Sequence, residues 1–278
     1  MTRFSILLLI FATHFSAVAG PAEKRLHQQG WRLIWHDEFR GKKLSAKKWN
    51  VLTREQSKHG ELQYYLPDEV YVENGCLHLR SRARDFGSQH FTSGRVDTSG
   101  KFATTYGRFE IRAKLPRGRG LWPAYWLYPQ NRDFRMERLM ADMAANGKES
   151  LIPEARPWYT EIDIMEFLGH TNVVYGTLHY HTFDGQKKSN SGNWRGNEDF
   201  TKGFHVYALE WVPGSISWFV DGYLIHSTKE GVPNTPHYLI LNTAVGGKWP
   251  GNPDASTVFP QDHAIDYVRV YAKKHYFN

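Results

Sequence analysis

Cysteine is nearly absent from this chain, since Cys76 is the single one among 278 residues. An internal disulfide is therefore excluded, and a chain of this length has to be stabilised by a hydrophobic core. After the N-terminal residues there is no apolar run long enough to span a membrane, which takes about 20 residues. Internal repeats, low-complexity tracts and linkers rich in proline, glycine or serine are also absent, which favours one folded domain.

The net charge is positive but is not concentrated in one segment. The sequence has 35 lysine and arginine residues against 28 aspartate and glutamate residues, which gives a formal net charge of +7. A basic protein can bind an anionic polymer, but the basic residues are scattered and no nucleic-acid-binding motif is present. We therefore expect solvated surface charge and no nucleic-acid partner.

Residues 1–19 have the pattern of a secretory signal peptide. Arg3 precedes an apolar run, and Ala17-Val18-Ala19 has the form of an A-x-A cleavage site. The alternative is a membrane-spanning helix, which needs about 20 apolar residues, whereas this run is shorter and is interrupted by His14. We expect secretion to the extracellular or periplasmic space, a mature domain of residues 20–278, and no membrane association after cleavage.

Strand-like segments separated by turn signals follow one another along the rest of the chain. Asp221-Gly222 lies between two apolar segments and is the strongest hairpin signal. Glu73-Asn74-Gly75 and Pro213-Gly214-Ser215 are turn signals of a similar kind. Many short strands with regular turns indicate an all-β sandwich or barrel.

The segment Arg132–Asn146 breaks this pattern. Apolar residues recur there at helical spacing, at Met136, Leu139, Met140 and Met143. Asn146-Gly147 has the form of a helix C-cap. We expect a short helix near 132–146, which either packs on the surface of the sandwich or forms part of a wall or lid over a cleft.

The most informative segment is Glu161–Phe167, in which three carboxylates lie among strand-forming apolar residues. Because side chains alternate across a strand, Glu161 and Asp163 point to one face, and Glu166 would point to the other. A β-bulge of one extra residue would return Glu166 to the face of the other two, and bulges are common beside active sites. We therefore expect three carboxylates on one surface.

Carboxylates in this arrangement suit retaining glycoside hydrolysis. That reaction needs one carboxylate as nucleophile and one protonated carboxyl as acid, about 5–5.5 Å apart. Asp163 would add a like charge close to both glutamates, which favours retention of a proton on one of them. The alternative is an exposed strand whose acids face water, and Ile162, Ile164 and Phe167 argue against it because they indicate a buried opposite face.

Aromatic residues are abundant, and two of them lie in one suggestive strand. In Leu121–Leu127, Trp122 and Trp126 share a strand face with the small Ala124. Two indoles on one face suit stacking against sugar rings, because an indole combines a large apolar surface with a polar N–H. Spacing alone does not separate this role from core packing.

The segment from Glu161 to Glu166 resembles the active-site signature of glycoside hydrolase family 16. The resemblance covers nearly all of residues 20–278 and includes Trp35–Phe39, Glu61–Tyr65, Thr92–Arg95, Tyr106–Glu110, Leu121–Leu127, Asn242–Gly251 and Asp266–Tyr271. Within the family these segments are similar to the laminarinase-like branch, whose members are endo-β-1,3-glucanases.

The resemblance implies an all-β fold, a β-jelly-roll sandwich of two antiparallel sheets with a concave substrate cleft, plus the short helical insert. It also implies retaining, double-displacement hydrolysis of β-1,3-glucosidic bonds in laminarin-like β-glucans, with no cofactor required for catalysis. Residues 20–278 would then form a single glycoside hydrolase catalytic domain that acts on a polysaccharide as a monomer.

By position, the resemblance makes Glu161 the nucleophile, Glu166 the general acid/base and Asp163 the supporting acid. It makes Trp122 and Trp126 platforms for sugar rings. It further implies that four other side chains contact the substrate, namely His179, Arg95, Asn242 and Trp249. For Arg95 the alternative is an ordinary surface arginine. A His-x-His metal pair of His179 and His181 lacks a third ligand, which makes it a weak metal signal.

Members of the family often carry a structural calcium on the convex side. The matching positions here are Glu38, the backbone carbonyl of Gly75, and Asp266, and oxygen ligands suit calcium. The alternative is that both acids are surface residues or form salt bridges.

Two departures from the family pattern leave the substrate open. His59-Gly60 stands where laminarinase-like members often have Asn-Asn, and the stretch from Tyr128 to Thr160 is longer than usual. The alternatives are the same mechanism on mixed-linkage β-1,3-1,4-glucan or on a galactan such as agar or carrageenan, and a non-catalytic β-glucan recognition protein. Such binders typically lack the catalytic carboxylates, whereas Glu161 and Glu166 are present here.

Overall fold

The computed structural model describes residues 21–55, 58–131, 146–147, 160–182, 186–196 and 199–276, most of which lie in β-strands. The described residues begin with the helix α1 (Pro21–Gln28), where Leu26 packs with Trp31 and Tyr271 in a small apolar cluster. Short 3₁₀ turns occur at Pro67–Glu69 and Lys274–Tyr276. In this part of the chain no helix is long and apolar enough to cross a membrane.

The strands alternate with short turns along the whole described chain. They are β1 (Trp31–Asp37), β2 (Asn50–Val51), β3 (Arg54–Glu55), β4 (Gln63–Tyr65), β5 (Val70–Glu73), β6 (Cys76–Phe86), β7 (Gln89–Ser93), β8 (Arg95–Asp97), β9 (Gly107–Lys114), β10 (Leu121–Pro129), β11 (Thr160–Phe167), β12 (Val173–His181), β13 (Lys187–Arg195), β14 (His205–Val212), β15 (Ser215–Val220), β16 (Tyr223–Thr228), β17 (His237–Val245) and β18 (Gln261–Lys273).

The described strands form two sheets. Sheet A has eleven strands, nine of them in the order β16-β15-β14-β9-β18-β6-β7-β4-β3, with β1 paired to β18 and β5 paired to β6. Sheet B has seven strands in the order β13-β12-β11-β10-β17-β8-β2. Neighbouring strands in the described residues are antiparallel, apart from the parallel pair of β4 and β7. The strand that carries the three acids, β11, lies near the middle of sheet B.

The two sheets contribute to one large hydrophobic core. Leu79, Ile111 and Leu209 of sheet A belong to the same buried cluster as Tyr125 and Leu178 of sheet B. Burial of one large apolar side chain stabilises a fold by about 1.5–3 kcal/mol. A sandwich held by such a core needs no disulfide, and this all-β jelly-roll sandwich confirms the predicted fold class.

The hairpin turns expected from the sequence also form. Asp221 and Gly222 have φ angles of 50° and 84° and connect β15 to β16. Asn74 and Gly75 have φ angles of 51° and 76° and connect β5 to β6. Two successive left-handed residues give a turn whose twist matches that of antiparallel strands, which is why Asp-Gly and Asn-Gly are favoured there.

Two sequence predictions fall on residues that the structure does not describe. The signal peptide expected at 1–19 lies outside the described residues. The helix expected near 132–146 is described only at Asn146, which lies in a turn with Gly147. Both stay predictions.

Candidate functional site

The bulge predicted in the acidic strand is present. In the pairing of β11 with β12, Asp163 lies opposite Thr177 and Glu166 lies opposite Tyr175, so two residues of β11 lie opposite Gly176 alone. The two residues between the acids, Ile164 and Met165, both belong to the hydrophobic core. Because the extra residue changes the alternation, Glu166 faces the same side of sheet B as Glu161 and Asp163, as predicted.

A groove lies over these acids, with a volume of about 630 Å³. Its floor is formed by β10, β11, β12 and β17 of sheet B. The predicted site residues that line it are Glu161, Asp163, Glu166, Trp122, Trp126, His179, Asn242 and Trp249. Ala124, which pairs with Glu166, lines it as well. A small side chain at this position leaves space above the acid.

Glu166 is held in its protonated form by its surroundings. It is 9% exposed, and its pKa is raised well above its ordinary value, first by burial and then by the negative charges of Asp163 and Glu161. Nε1 of Trp122 donates a hydrogen bond of 3.0 Å to its Oε1. A buried carboxyl with a raised pKa is suited to give up a proton during a reaction near neutral pH.

Asp163 lies between the two glutamates along the strand and is 4% exposed. Burial and the charge of Glu161 raise its pKa well above its ordinary value. Nε2 of His179 lies 3.2 Å from Oδ2 of Asp163, and β12 places His179 directly opposite Glu161. One carboxylate oxygen from each of Glu161 and Asp163 and one imidazole nitrogen of His179 lie within 4.8 Å of one another. The three side chains therefore lie close enough together to interact electrostatically.

Aromatic side chains lie along the row of acids. Trp122, which contacts Glu166, lies edge-on to Trp249 at a ring distance of 5.4 Å, and Trp249 lies 5.0 Å from Tyr175. Trp126, which is paired with Asp163, donates a hydrogen bond of 2.8 Å from Nε1 to Oδ1 of Asn242. Because each indole is partly exposed to the groove and fixed by its N–H, both suit stacking against a sugar ring. The structure thus favours the groove position over core packing for Trp122 and Trp126.

Arg95 is placed differently from the other predicted residues. Its side chain is 7% exposed and does not line the groove, and its guanidinium lies 5.1 Å from the ring of Trp126. Burial lowers its pKa. A cation over an indole face is attracted by the ring, so Arg95 supports Trp126 from within the protein, and neither direct sugar contact nor the surface alternative matches its position.

Several groove residues were not singled out from the sequence, among them Lys58, Tyr175, Lys187 and Lys188. A backbone hydrogen bond of 3.0 Å from Lys248 to His59 ties the loop before β4 to the segment that carries Trp249. His59-Gly60, which departs from the family pattern, lies in this loop. The ring of His59 lies 6.3 Å from the ring of Trp122. Tyr175 had no sequence signal, because its position depends on the bulge in the neighbouring strand.

The residues expected to bind calcium are engaged with arginines. Both carboxylate oxygens of Glu38 accept hydrogen bonds of 2.8 Å from Arg269. A carboxylate oxygen of Asp266 lies 2.5 Å from Nη1 of Arg112. A calcium ion would have to compete with both guanidinium groups, so this arrangement favours the salt-bridge alternative. Calcium binding through Glu38, Gly75 and Asp266 stays an untested prediction.

Comparison with known proteins gives concordant matches. A beta-glucanase from Rhodothermus marinus is 36% identical over 98% of this chain and 94% of its own length. A glucan endo-1,3-beta-glucosidase A1 from Niallia circulans is 33% identical over 88% of this chain and 38% of its own length. The catalytic domain of an endo-1,3-beta-glucanase (laminarinase) from Thermotoga petrophila RKU-1 superposes with a TM-score of 0.73 at 37% identity, covering 88% of this chain and 98% of that domain.

The family profile described as "Glycosyl hydrolases family 16" matches residues 48–138 and 148–269. These residues include the strands of sheet B and all three acids of the groove. The site geometry, the sandwich and the matches agree, and the chain belongs to glycosyl hydrolase family 16.

Proposed function

We propose that this glycoside hydrolase cleaves β-1,3-glucosidic bonds inside laminarin-like β-glucans with retention of anomeric configuration. The observation that carries the proposal is the bulge, which brings Glu161, Asp163 and Glu166 to one face under an open groove. Relatives named for action on β-glucans and β-1,3-glucans support the choice of polymer.

In the proposed first step the carboxyl of Glu166 transfers its proton to the glycosidic oxygen, while a carboxylate oxygen of Glu161 bonds to the anomeric carbon. The bond from that carbon to the leaving sugar breaks. In the second step Glu166 removes a proton from water, whose oxygen bonds to the anomeric carbon and releases Glu161. The raised pKa of Glu166 supports its assignment as the proton donor.

The remaining groove residues supply binding and orientation. Stacking on Trp122, Trp126 and Trp249 would hold the sugar rings on either side of the acids. His179 and Asn242 offer hydrogen-bonding groups to the sugar hydroxyls, and His179 also contacts Asp163. An open groove accepts the interior of a chain, which supports endo-acting cleavage.

The test is release of reducing sugar from laminarin by the purified protein, with Glu161→Gln as its control. We expect release from laminarin that disappears in the variant, and product of the β-anomer in early proton NMR spectra. Early accumulation of the α-anomer would contradict retention. Retained binding without any release would contradict hydrolysis and favour a β-glucan recognition protein.

A second candidate substrate is a sulfated galactan such as carrageenan. Lys58, Lys187 and Lys188 line the groove together with His181. Basic side chains along a groove attract the sulfate groups of a bound chain. Release from κ-carrageenan but not from its desulfated form would favour this candidate, whereas release from mixed-linkage glucan or agarose alone would assign the enzyme to an uncharged polymer.

We propose further that the chain is exported by the segment at residues 1–19 and acts as a monomer on its polysaccharide without a nucleic-acid or membrane partner. The support is the signal-like pattern of Arg3, the apolar run and Ala17-Val18-Ala19. N-terminal sequencing of the exported protein and its mass in solution test both statements.

A further inference from the structure

The main-chain carbonyl of Asp163 lies at the bulge in β11, where the register of strand pairing shifts by one residue. Relative to β10 the inserted residue is Ile164, which lies between the paired positions Asp163 and Met165. The carbonyl oxygen of Asp163 accepts a hydrogen bond of 2.8 Å from Nε1 of Trp218, a fully buried side chain of β15. Sheet A therefore holds the backbone of sheet B at the bulge.

The two sheets approach each other closely enough for this contact because two glycines lie side by side. Gly176, opposite the bulge, would place a Cβ 2.4 Å from Cδ1 of Trp218. Gly192 is paired with Gly176 and would place a Cβ 2.3 Å from Cβ of His226. Any larger residue at either position would push the indole or the imidazole out of its place.

The indole is also fixed from its own sheet. Trp218 and His226 are paired across β15 and β16, and their rings stack at 5.2 Å with an angle of 29°. Nε2 of His226 lies 2.6 Å from Oδ1 of Asn190, which belongs to β13 of sheet B. A continuous series of contacts therefore leads from β13 through His226 and Trp218 to the carbonyl of Asp163.

We infer that Trp218 is a positioning residue for the proton-donating carboxyl, because its N–H fixes the bulge that turns Glu166 into the groove. Without the extra residue, alternation would direct Met165 to the groove and Glu166 to the core. The hydrogen bond satisfies a buried carbonyl in the bulged arrangement, and leaving such an acceptor unpaired is unfavourable. The inference rests on the proposed function, since it assigns Trp218 to the acid/base step of that reaction.

The test compares Trp218→Phe with Trp211→Phe. Trp211 is also a fully buried indole of sheet A that donates to a main-chain carbonyl, that of Pro233, at 3.1 Å. Both substitutions remove one buried N–H and keep an aromatic ring, so a general effect on the fold is common to both. Only Trp218 contacts the bulge.

The readout is kcat and KM on laminarin and on a dinitrophenyl β-glycoside of a laminari-oligosaccharide, whose leaving group needs no protonation. We expect Trp218→Phe to lower kcat on laminarin about 10- to 100-fold, because small misplacements of catalytic groups have effects of this size. We expect KM on laminarin to change less than about twofold. On the aryl glycoside kcat/KM should fall much less, because that ratio reports the first step, whereas kcat also depends on the second step, in which Glu166 acts as the base. Trp211→Phe should leave both substrates unaffected.

An equal loss in the two variants, or an equal loss of kcat/KM on both substrates, would overturn the inference. If Trp218→Phe does not fold, His226→Ala decides, because it removes the ring that supports the indole. A selective loss on laminarin supports the inference, and its absence overturns it. If the wild-type protein cleaves no polymer, the proposed function fails. A different outcome is that the wild type is active and Glu166→Gln is inactive, but Trp218→Phe and Trp211→Phe have equal kcat on laminarin. In that case only the positioning role of Trp218 is contradicted.

Discussion

Buried and half-buried carboxylates occur on both sheets, but their partners differ. On sheet A, Asp262 accepts two hydrogen bonds of 2.7 Å from Arg80 and one of 3.0 Å from Tyr71. Burial opposes its ionisation, yet these partners outweigh burial and lower its pKa. On sheet B, Asp163 and Glu166 form no salt bridge with arginine or lysine among the described residues. Burial is the first cause that raises both pKa values, and the negative charge of Glu161 raises both further, with that of Asp163 adding to the effect on Glu166.

This difference in partners separates acids that stabilise the fold from acids that we propose take part in the reaction. A carboxylate paired with arginine is ionised and acts as a hydrogen-bond acceptor only. A buried acid without a cation destabilises the ionised form and keeps its proton available for transfer. The arginine pairing of Glu38, whose pKa is lowered, places it in the first class, and Asp163 and Glu166 of β11 belong to the second.

The largest contrast is expected between Glu166→Gln and Glu110→Gln. The two glutamates lie in strands and are 9% and 8% exposed, but Glu110 accepts a hydrogen bond of 2.7 Å from Arg108. Glu166→Gln removes the proposed proton donor, so we expect kcat on laminarin to fall about 10²- to 10⁴-fold. Glu110→Gln should retain kcat and lower the thermal midpoint instead.

On the same preparations, initial rates give kcat and melting curves give the thermal midpoint of each variant. Comparable loss of kcat in the two variants would show that burial of an acid, and not its place in the groove, accounts for the effect. A fully active Glu166→Gln would exclude Glu166 as the acid.

The second contrast concerns the pH dependence of Asp163→Asn and Asp262→Asn. Glu166 has to be protonated to act as an acid, so kcat/KM falls as the pH rises through its raised pKa. Burial is the first cause of that raised pKa, and the charge of Asp163 adds to it. Asp163→Asn removes that charge, Glu166 ionises more easily, and the alkaline limb of the profile moves to lower pH.

Asp262 lies on sheet A, so Asp262→Asn should leave the alkaline limb of the kcat/KM profile unchanged. Profiles of kcat/KM from pH 4 to 10 for the two variants and the wild type measure the difference. An unmoved limb in Asp163→Asn would show that Glu166 does not respond to the charge of Asp163.

The site could be predicted from the sequence as far as local patterns reach. The spacing of Glu161, Asp163 and Glu166 is explained by one bulge, and the spacing of Trp122, Ala124 and Trp126 places them on one strand face. Both are consequences of period-two alternation within a strand. The Asp-Gly hairpin between β15 and β16 follows from local turn chemistry in the same way.

Contacts between distant strands were not predictable in this way. Arg269 pairs with Glu38 across 231 sequence positions, and Trp218 reaches Asp163 across 55. Such contacts depend on which strands pair and in which register, and a shift of one residue turns every side chain to the other face. The position of Arg95 behind Trp126 has the same origin, since β8 and β10 are not neighbours in sheet B.

The third contrast uses the same two aspartates and measures stability. The folded pKa of Asp163 is raised, so its native form loses stability as the pH rises above about 3.9, the pKa of an unperturbed aspartate. Asp163→Asn removes this effect and should raise the thermal midpoint at pH 7, by about 2–4 °C for each kcal/mol gained. The gain should disappear at pH 3.

Asp262→Asn should behave in the opposite sense. The folded pKa of Asp262 is lowered, so its contribution is present above about pH 3.9 and is lost as the pH falls through the folded pKa. Asp262→Asn should be less stable than the wild type at pH 7, and the difference in stability should become smaller at acidic pH. Melting curves at pH 3 and pH 7 separate the two signs, and two changes of the same sign would contradict the division between the sheets.

The smallest effect is expected from calcium. Glu38 and Asp266 are paired with Arg269 and Arg112, and a cation would compete with both guanidinium groups for their oxygens. We therefore expect millimolar calcium after EDTA treatment to raise the thermal midpoint by less than about 2 °C, which is the range of weak ligand linkage for a domain of this size. Glu38→Gln is the matched variant, because it removes one proposed ligand and one salt bridge together. A rise of many degrees in the wild type that disappears in Glu38→Gln would establish a calcium site at these positions and would show that the arginines give way to the ion.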